Sequence, residues 1–334
     1  MRLRRPAELA VIGLAAGSLV GCGSKQEVLT LPATPTRVVV GLSGPPGAVD
    51  APLYTATTLG DFGRAGLAVT LQPATDGSQS LARLAAGGVD IAVSSEPDLL
   101  IARAKGEQLI SIGALVQGPL QSLISIPPRP ITKVGGLSGK TVATNGTSLA
   151  KAELSTMLRT AGVEATSVRT IAAPADLIAP LKNHTADASL GGQWNSDAVE
   201  LGLQGHKPGV IRIENAGVPT FNQDILVVRQ TEARNHGELL RTFLQALTQA
   251  VHTEQATPAA VAGDVPGLDQ RFGTASLEAT LPALDPPRKA DPFGFQYPVA
   301  WRTFDTWMLT NGLLTVRSDA ALAVDNEFLP GQGE

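Results

Sequence analysis

The chain has 334 residues, of which 43% are hydrophobic and 17% are charged, and its formal net charge at pH 7 is −4. This length and composition predict a folded protein with two lobes or domains, and they exclude a chain that is disordered throughout. The acidic balance argues against a nucleic-acid partner, because binding to phosphates requires a basic face.

The first residues of the chain have the pattern of an export signal. Arginines at positions 2, 4 and 5 precede an apolar stretch at 9–20 that is too short to span a bilayer. The stretch ends just before Cys22, and the whole pattern resembles the bacterial lipoprotein signal. We therefore expect residues 1–21 to be removed as a signal peptide, Cys22 to carry the lipid, and residues 22–36 to form a flexible tether. Such a protein would lie outside the cytoplasm, anchored to the cell membrane through Cys22.

The sequence carries no pattern that is typical of a metal site or of catalysis. Cys22 is the only cysteine, so the mature chain has neither an internal disulfide nor a thiolate metal site. The alternative is that Cys22 is a buried core residue behind a plain signal peptide. No two of the four histidines have metal-ligand spacing on one helix face, and there is no Gly-x-Ser-x-Gly elbow. We expect no metal, no cofactor and no catalytic residue.

From residue 37 onward, apolar β-branched runs alternate with helical patterns. We predict strands at 37–42, 67–71, 91–93, 110–116, 140–144, 168–172, 186–190 and 210–213. Helices are predicted between these strands, and the chain is mainly helical after 239. The alternation is typical of an α/β fold with parallel strands covered by helices.

Proline-rich and β-branched segments indicate where the chain passes between lobes. Pro127-Pro128-Arg129-Pro130 is a stiff break and the candidate for a first crossover. The segment 225–228 would be the return crossover. Residues 37–128 and 225–334 would then form lobe 1 and residues 129–224 lobe 2, an arrangement that makes a hinged two-lobed clamp.

Two strand-to-helix corners of similar design point to a ligand site. One has the sequence Gly191-Gly192-Gln193-Trp194-Asn195, and the other places Ser94-Ser95 directly before Glu96-Pro97. Small ligands bind at the carboxyl ends of strands in open α/β sheets. Tyr54 and Trp194 are the aromatic candidates for the cleft, since each sits beside prolines or glycines at a helix start. The alternative is that both corners are ordinary strand-to-helix turns.

Several segments together resemble a known family of transport proteins. They are Asp50-Ala51-Pro52-Leu53-Tyr54, Gly60-Asp61-Phe62, Val89-Asp90-Ile91-Ala92-Val93-Ser94, Ser111-Ile112-Gly113-Ala114-Leu115-Val116, Pro119-Leu120-Gln121-Ser122-Leu123, and Gly191-Gly192-Gln193-Trp194-Asn195 with Gly205-His206-Lys207-Pro208. The chain resembles the substrate-binding lipoproteins of bacterial ABC importers in the NMT1/THI5-like group, especially the branch that binds pyrimidine precursors of thiamine. The resemblance implies a type II periplasmic-binding-protein clamp, each lobe a mixed sheet covered by helices, with two crossovers. It also implies a monomer that works with an ABC permease and its ATPase.

The resemblance implies roles for particular residues in binding a small heterocycle. Tyr54 and Trp194 would stack on the ring, and Asn195 and Asp197 would form hydrogen bonds to it. The opposite wall would consist of Ser94, Ser95 and Glu96. Asp50 stands where the family often has His, and Ser95 and Gln193 stand where it often has Tyr, so we expect a more polar or more cationic ligand.

Two other functions stay open. The same transport role could serve riboflavin, an alkanesulfonate or nitrate, although an oxyanion would require Arg or helix N-termini in the cleft. A pyrimidine-synthesising enzyme of the same fold is the alternative of another class. Such enzymes use a Cys-rich motif, which the mature chain lacks beyond Cys22.

Overall fold

The computed structural model describes residues 34–333, which form ten strands and twelve α-helices. Cys22 and the predicted signal peptide lie outside the described residues. The strands are β1 (Thr36–Gly41), β2 (Leu67–Gln72), β3 (Ile91–Ser94), β4 (Leu109–Val116), β5 (Gln121–Ser125), β6 (Thr141–Thr144), β7 (Arg169–Ala172), β8 (Ala188–Gln193), β9 (Gly209–Arg212) and β10 (Asp224–Arg229). The helices are α1 (Ala51–Thr58), α2 (Asp61–Arg64), α3 (Gly77–Ala85), α4 (Glu96–Ala104), α5 (Ser148–Thr160), α6 (Ala179–Lys182), α7 (Asp197–Leu203), α8 (Gln230–Asn235), α9 (Gly237–Ala256), α10 (Pro258–Val261), α11 (Gln270–Leu284) and α12 (Pro298–Thr310).

The strands form two five-stranded sheets of the same design. The first has the order β2-β1-β3-β10-β4, and the second has the order β7-β6-β8-β5-β9. In each sheet the strand in the fourth position is antiparallel to both of its neighbours, while the other pairs are parallel. The predicted fold class, an α/β clamp with two mixed sheets covered by helices, is thereby confirmed.

The chain passes between the sheets at other positions than the sequence predicted. Strand β5 at Gln121–Ser125 belongs to the second sheet, so the first passage lies at 117–120 and precedes the proline-rich break. The predicted return crossover at 225–228 is wrong, because it lies within β10 of the first sheet and the return takes place at 213–223. Its apolar side chains are buried and its backbone pairs on both sides, which favours a central strand. The assignment of whole lobes to residue ranges stays a prediction.

Helix α12 connects the C-terminal part of the chain to both halves of the molecule. Trp301 and Phe304 are fully buried, as the helical spacing predicts for packing residues. Trp307 Nε1 donates to Thr156 Oγ1 of α5 at 3.1 Å, and the Phe304 ring lies 4.6 Å from that of Phe221. Both sheets therefore belong to one compact unit. None of the helices in residues 34–333 is long and apolar enough to cross a membrane.

Candidate functional site

A cavity of about 1150 Å³ lies where the carboxyl ends of the parallel strands of both sheets meet. From the first sheet it is lined by segments that follow β1, β2 and β3 and by the start of β10. From the second sheet it is lined by segments that follow β6, β7 and β8 and by the start of β5. This is the position at which open α/β sheets hold small ligands. We call it the cleft cavity.

Two buried carboxyl groups lie on the first-sheet wall of the cleft cavity. Asp50 is 2% exposed; its Oδ2 accepts a hydrogen bond from Gly47 N at 2.9 Å, and its Oδ1 has no partner. Burial, and secondarily the charge of Asp224, raises the pKa of Asp50 to about 8. Burial raises the pKa of Asp224 to about 7, with the nearby Asp98 adding to the effect. Both groups favour a ligand that brings a positive charge or hydrogen-bond donors.

Two further carboxylates extend this acidic wall. Asp98 Oδ2 accepts from Ser95 Oγ at 2.8 Å, and burial, together with the charge of Asp76, raises its pKa. Asp76 caps helix α3 by accepting from Gln79 N at 2.8 Å, and these helix-cap hydrogen bonds hold its pKa below the usual range. The four aspartates thus form a chain of neighbours. The charge of Asp76 helps to raise the pKa of Asp98, that of Asp98 the pKa of Asp224, and that of Asp224 the pKa of Asp50.

The charged residues that line the cleft cavity in the described part of the chain are all acidic. Within the part of the chain that the structure describes, no Lys, Arg or His lines the cleft cavity, and Phe272 is its one aromatic side chain. In the same part of the chain, no group of three or more His, Cys, Asp or Glu side chains is arranged to hold a metal ion. The arrangement is therefore suited to holding amino groups, and it offers little stacking surface.

The second-sheet wall is polar but uncharged. Asn195 is buried; its Nδ2 donates to Thr280 Oγ1 at 2.8 Å, and its Oδ1 has no partner. Ser196 Oγ donates to Gln193 Oε1 at 3.1 Å, and the side chain of Thr147 caps helix α5. A ligand N–H group could reach the unpartnered oxygen of Asn195.

A bulge in β8 brings this wall into place. Ser122 pairs with Gly192 but Leu123 pairs with Leu190, so Gly191 is an extra residue in the ladder, with φ of +105°. A Cβ on Gly192 would lie 2.8 Å from Ile124 Cδ1, so a larger residue there would force the end of the Ile124 side chain to shift. The sequence interpretation ended this strand at residue 190; in the structure the two glycines continue it to Gln193.

Three of the predicted ligand-binding residues line the cleft cavity: Asp50, Ser95 and Asn195. Three others do not line it but lie close to residues that do. Ser94 is buried and donates to Gly77 O at 3.0 Å. Asp197 Oδ2 accepts from Gln193 N at 2.6 Å, and burial raises its pKa. Tyr54 is half-buried against apolar residues of α11 and the loop before α1.

The structure places Trp194 and Glu96 outside the cleft cavity. Trp194 Nε1 donates to Pro119 O at 3.0 Å, and the guanidinium of Arg212 lies 3.8 Å above its ring. This indole therefore contacts the first passage between the sheets and does not line the cleft cavity. Glu96 is fully buried and accepts two hydrogen bonds from Asn222, and it lines a different cavity.

Sequence reasoning missed most of the acidic wall. Asp224, Asp98 and Asp76 were not predicted as site residues, nor were Gln121 and Gln223, which also line the cavity. The sequence did contain a pattern that could have identified the three aspartates, because each lies at a helix start or immediately before a buried apolar run. That signal is weak, because the same position is also explained by helix capping.

A family model and a relative of known role each match more than half of the chain. Residues 48–261 match the sequence profile of the family described as NMT1/THI5 like. The chain is 26% identical over 280 residues to the formylaminopyrimidine-binding protein of Halalkalibacterium halodurans, covering 81% of this chain and 84% of that one.

Solved structures of similar fold include two sulphonate-binding proteins. One is the periplasmic aliphatic sulphonate binding protein of Escherichia coli, with a TM-score of 0.68, 18% identity, and coverage of 90% of this chain and 94% of that one. The other is the alkanesulfonate-binding protein of Xanthomonas axonopodis pv. citri, with a TM-score of 0.65, 18% identity, and coverage of 88% and 100%. At these identities the likeness concerns the fold.

Proposed function

The chain belongs to the NMT1/THI5-like family, and from this premise we propose that it captures a small amino-bearing heterocycle of the thiamine-precursor pyrimidine type in the cleft cavity and delivers it to the permease of an ABC importer. The protein would act as a monomer without catalysing a reaction. The relative from Halalkalibacterium halodurans is itself named a binding protein for a formylaminopyrimidine, which supports a binding role.

The observation that carries the proposal is the acidic wall of the cleft cavity. An aminopyrimidine presents N–H donors, and its ring becomes a cation when protonated. A charge-assisted hydrogen bond from such a group to Asp50 Oδ1 would contribute about 1.5–3 kcal/mol, because the oxygen is buried and has no other partner. Asn195 Oδ1 on the facing wall would accept a second N–H group.

The same wall argues against an anionic ligand, although the structural neighbours are sulphonate-binding proteins. A sulfonate or nitrate in the cleft cavity would lie among four aspartates, and no basic side chain in the described residues lines the cavity to neutralise it. Asp50 is largely protonated at neutral pH because its pKa is about 8, but the pKa of Asp76 lies below its usual range, so at least this carboxylate repels an anion. Riboflavin would need extended stacking surfaces, and Phe272 alone supplies little.

The location of the protein is part of the proposal. We propose that Cys22 is lipid-modified after removal of residues 1–21 and that residues 22–36 tether the folded part to the outer side of the cell membrane. An anchored protein stays close to the permease that it serves, which raises its effective concentration there.

Calorimetric titration of the protein starting after Cys22 tests the proposed ligand class. We expect a formylaminopyrimidine or 4-aminopyrimidine to bind and ethanesulfonate not to bind. At a pH above the Asp50 pKa of about 8, Asp50→Asn should weaken the pyrimidine affinity by about ten- to hundredfold, since it removes the charge from the acceptor. Glu107→Gln, which removes an exposed carboxylate outside the cavity, is the matched control and should leave affinity unchanged. Tight binding of ethanesulfonate, or equal pyrimidine affinity in wild type and Asp50→Asn, would refute the proposal.

A further inference from the structure

A second cavity, of about 650 Å³, lies beside the two passages that connect the sheets. We call it the hinge pocket. Its lining includes Gln117 and Gly118 of the first passage and residues 220–222 of the second. The hinge pocket and the cleft cavity share no lining residue: Asn222 faces the former and Gln223 and Asp224 the latter. Its volume is within the range of pockets that hold small organic ligands.

The hinge pocket has a buried floor and an exposed rim. Buried side chains make up the floor: Glu96, Gln117, Phe221, Asn222, Val251 and Phe293. Exposed residues of the rim include Pro282, Pro287 and Lys289. The floor therefore combines three apolar side chains, two of them aromatic, with three polar ones, of which Glu96 is the one ionisable group.

That ionisable group, Glu96, has one oxygen in use and one without a partner. Its Oε2 accepts from Asn222 N at 2.8 Å and from Asn222 Nδ2 at 2.9 Å, while Oε1 is buried and unpartnered. Burial raises the pKa of Glu96 to about 8, so the free protein bears a cost for keeping a carboxyl group there. Asn222 therefore provides hydrogen bonds to the Oε2 atom of Glu96, whereas the Oε1 atom has no hydrogen-bond partner.

Some other polar groups of the pocket have hydrogen-bond partners within the protein. Gln117 Nε2 donates to Phe295 O at 3.0 Å, and Asp291 Oδ2 accepts from Tyr297 Oη at 2.7 Å and from Arg288 Nε at 2.9 Å. Among the buried side-chain atoms of the floor, as far as the structure describes it, Glu96 Oε1 is the one without a hydrogen-bond partner. A buried acceptor beside Phe221, Val251 and Phe293 favours a donor group carried on an apolar body.

We propose that the hinge pocket binds a small organic cation, a protonated amine on an apolar body, whose ammonium group donates to Glu96 Oε1. This site is separate from the cleft cavity and does not depend on the function proposed for it. Its occupant would contact both passages between the sheets, because Gln117 and Asn222 are part of the floor.

The two tyrosines of the chain allow a site-resolved test. Tyr297 lines the hinge pocket, whereas Tyr54 lies close enough to Asp50 for the charge there to raise its pKa, burial being the larger cause. The full protein starting after Cys22 is labelled with ¹³C-tyrosine and titrated with benzylamine. The pH is set above the Glu96 pKa of about 8. We expect a saturable change of the Tyr297 signal, and a much weaker response to the neutral benzyl alcohol.

Glu96→Gln is the decisive variant because it removes the charge and keeps the contact with Asn222. Its carbonyl oxygen can accept both hydrogen bonds that Oε2 now accepts. We expect benzylamine affinity at Tyr297 to fall by about ten- to hundredfold, while the melting temperature of the ligand-free protein does not fall.

If Glu96→Gln does not fold, Ala300→Trp serves instead, since Ala300 is a half-buried lining residue and an indole there would take up cavity volume while Glu96 itself stays unchanged. Unchanged affinity in either variant, equal affinity for benzyl alcohol, or a response at Tyr54 alone would overturn the proposal. A failure of pyrimidine binding in the cleft cavity would leave it standing.

Discussion

Replacing Asp50 by Asn should make the ligand-free protein more stable in alkaline solution. The folded protein keeps the Asp50 proton up to about pH 8, whereas the unfolded chain loses it near the ordinary pKa of 3.8. Between these values the folded state binds more protons than the unfolded state, so stability falls as pH rises through this window. Asn is neutral at every pH, is close to Asp in size, and can keep the hydrogen bond from Gly47 N.

The expected gain follows from this pKa difference. A rise from 3.8 to about 8 corresponds to about 6 kcal/mol at pH 8, which is the ceiling. Relaxation and water entry lower such penalties, so we expect Asp50→Asn to raise the free energy of unfolding by about 2–4 kcal/mol at pH 8. Near pH 4 the gain should be less than about 1 kcal/mol, because Asp50 is then protonated in the folded state and partly protonated in the unfolded chain.

Urea unfolding of wild type and Asp50→Asn at both pH values measures the difference. Glu107→Gln is the matched control, since it also removes one negative charge but at an exposed position, and it should change stability by less than about 0.5 kcal/mol. An equal gain for Asp50→Asn at both pH values would show that the charge of Asp50 is not the cause. A loss of stability at pH 8 would show that the carboxylate is paired in the folded protein, and would refute the reasoning.

Four further changes have defined outcomes. Glu153 is buried in α5, Oε1 has no partner, and burial raises its pKa to about 8; Glu153→Gln should therefore raise the free energy of unfolding above pH 8 by a few kcal/mol in urea titrations, and less in acid. Gly192→Ala would press a methyl group on Ile124 and should lower the urea midpoint by the equivalent of about 1–3 kcal/mol, whereas unaltered stability would mean that β8 moves freely there. Trp194→Phe removes a hydrogen bond outside the cleft cavity, so we expect a loss of about 1 kcal/mol in stability and an unchanged calorimetric affinity for the cleft ligand; a large loss of affinity would place the indole in the site after all. Cys22→Ala should release the protein from washed membranes into the soluble fraction on immunoblots, and retention at the membrane would contradict lipid anchoring.

Local patterns in the sequence predicted most of the fold. The strands and helices of the βα units follow from runs of β-branched residues, helix caps and glycines, and the structure has them within a few residues of the predicted bounds. Strand β5 was missed because five residues between a strand and a proline-rich segment carry little periodicity. Strand β10 was assigned to a crossover, because the sequence does not show which sheet an apolar run joins.

The candidate site was predicted in position but only partly in composition. The corner at Ser94–Pro97 was identified as a ligand wall, yet Ser95 faces the cleft cavity while the adjacent Glu96 faces the hinge pocket. Successive residues at a helix start point in directions about 100° apart, so two neighbours can line different cavities. Asp224 was missed because it is 126 residues away from Asp98 in the chain and meets it only after the return passage.

The sequence by itself determined the family, the α/β class and the approximate place of the site, because periodicity, caps and motifs are local properties of the chain. The tertiary structure alone decided where the chain passes between sheets, that Trp194 contacts a passage and does not line the cleft cavity, and that four aspartates share one wall. Those features depend on strand order, on the bulge at Gly191 and on contacts between residues far apart in the chain. Local residue patterns carry no information on such long-range pairings, since they arise only when the two sheets assemble.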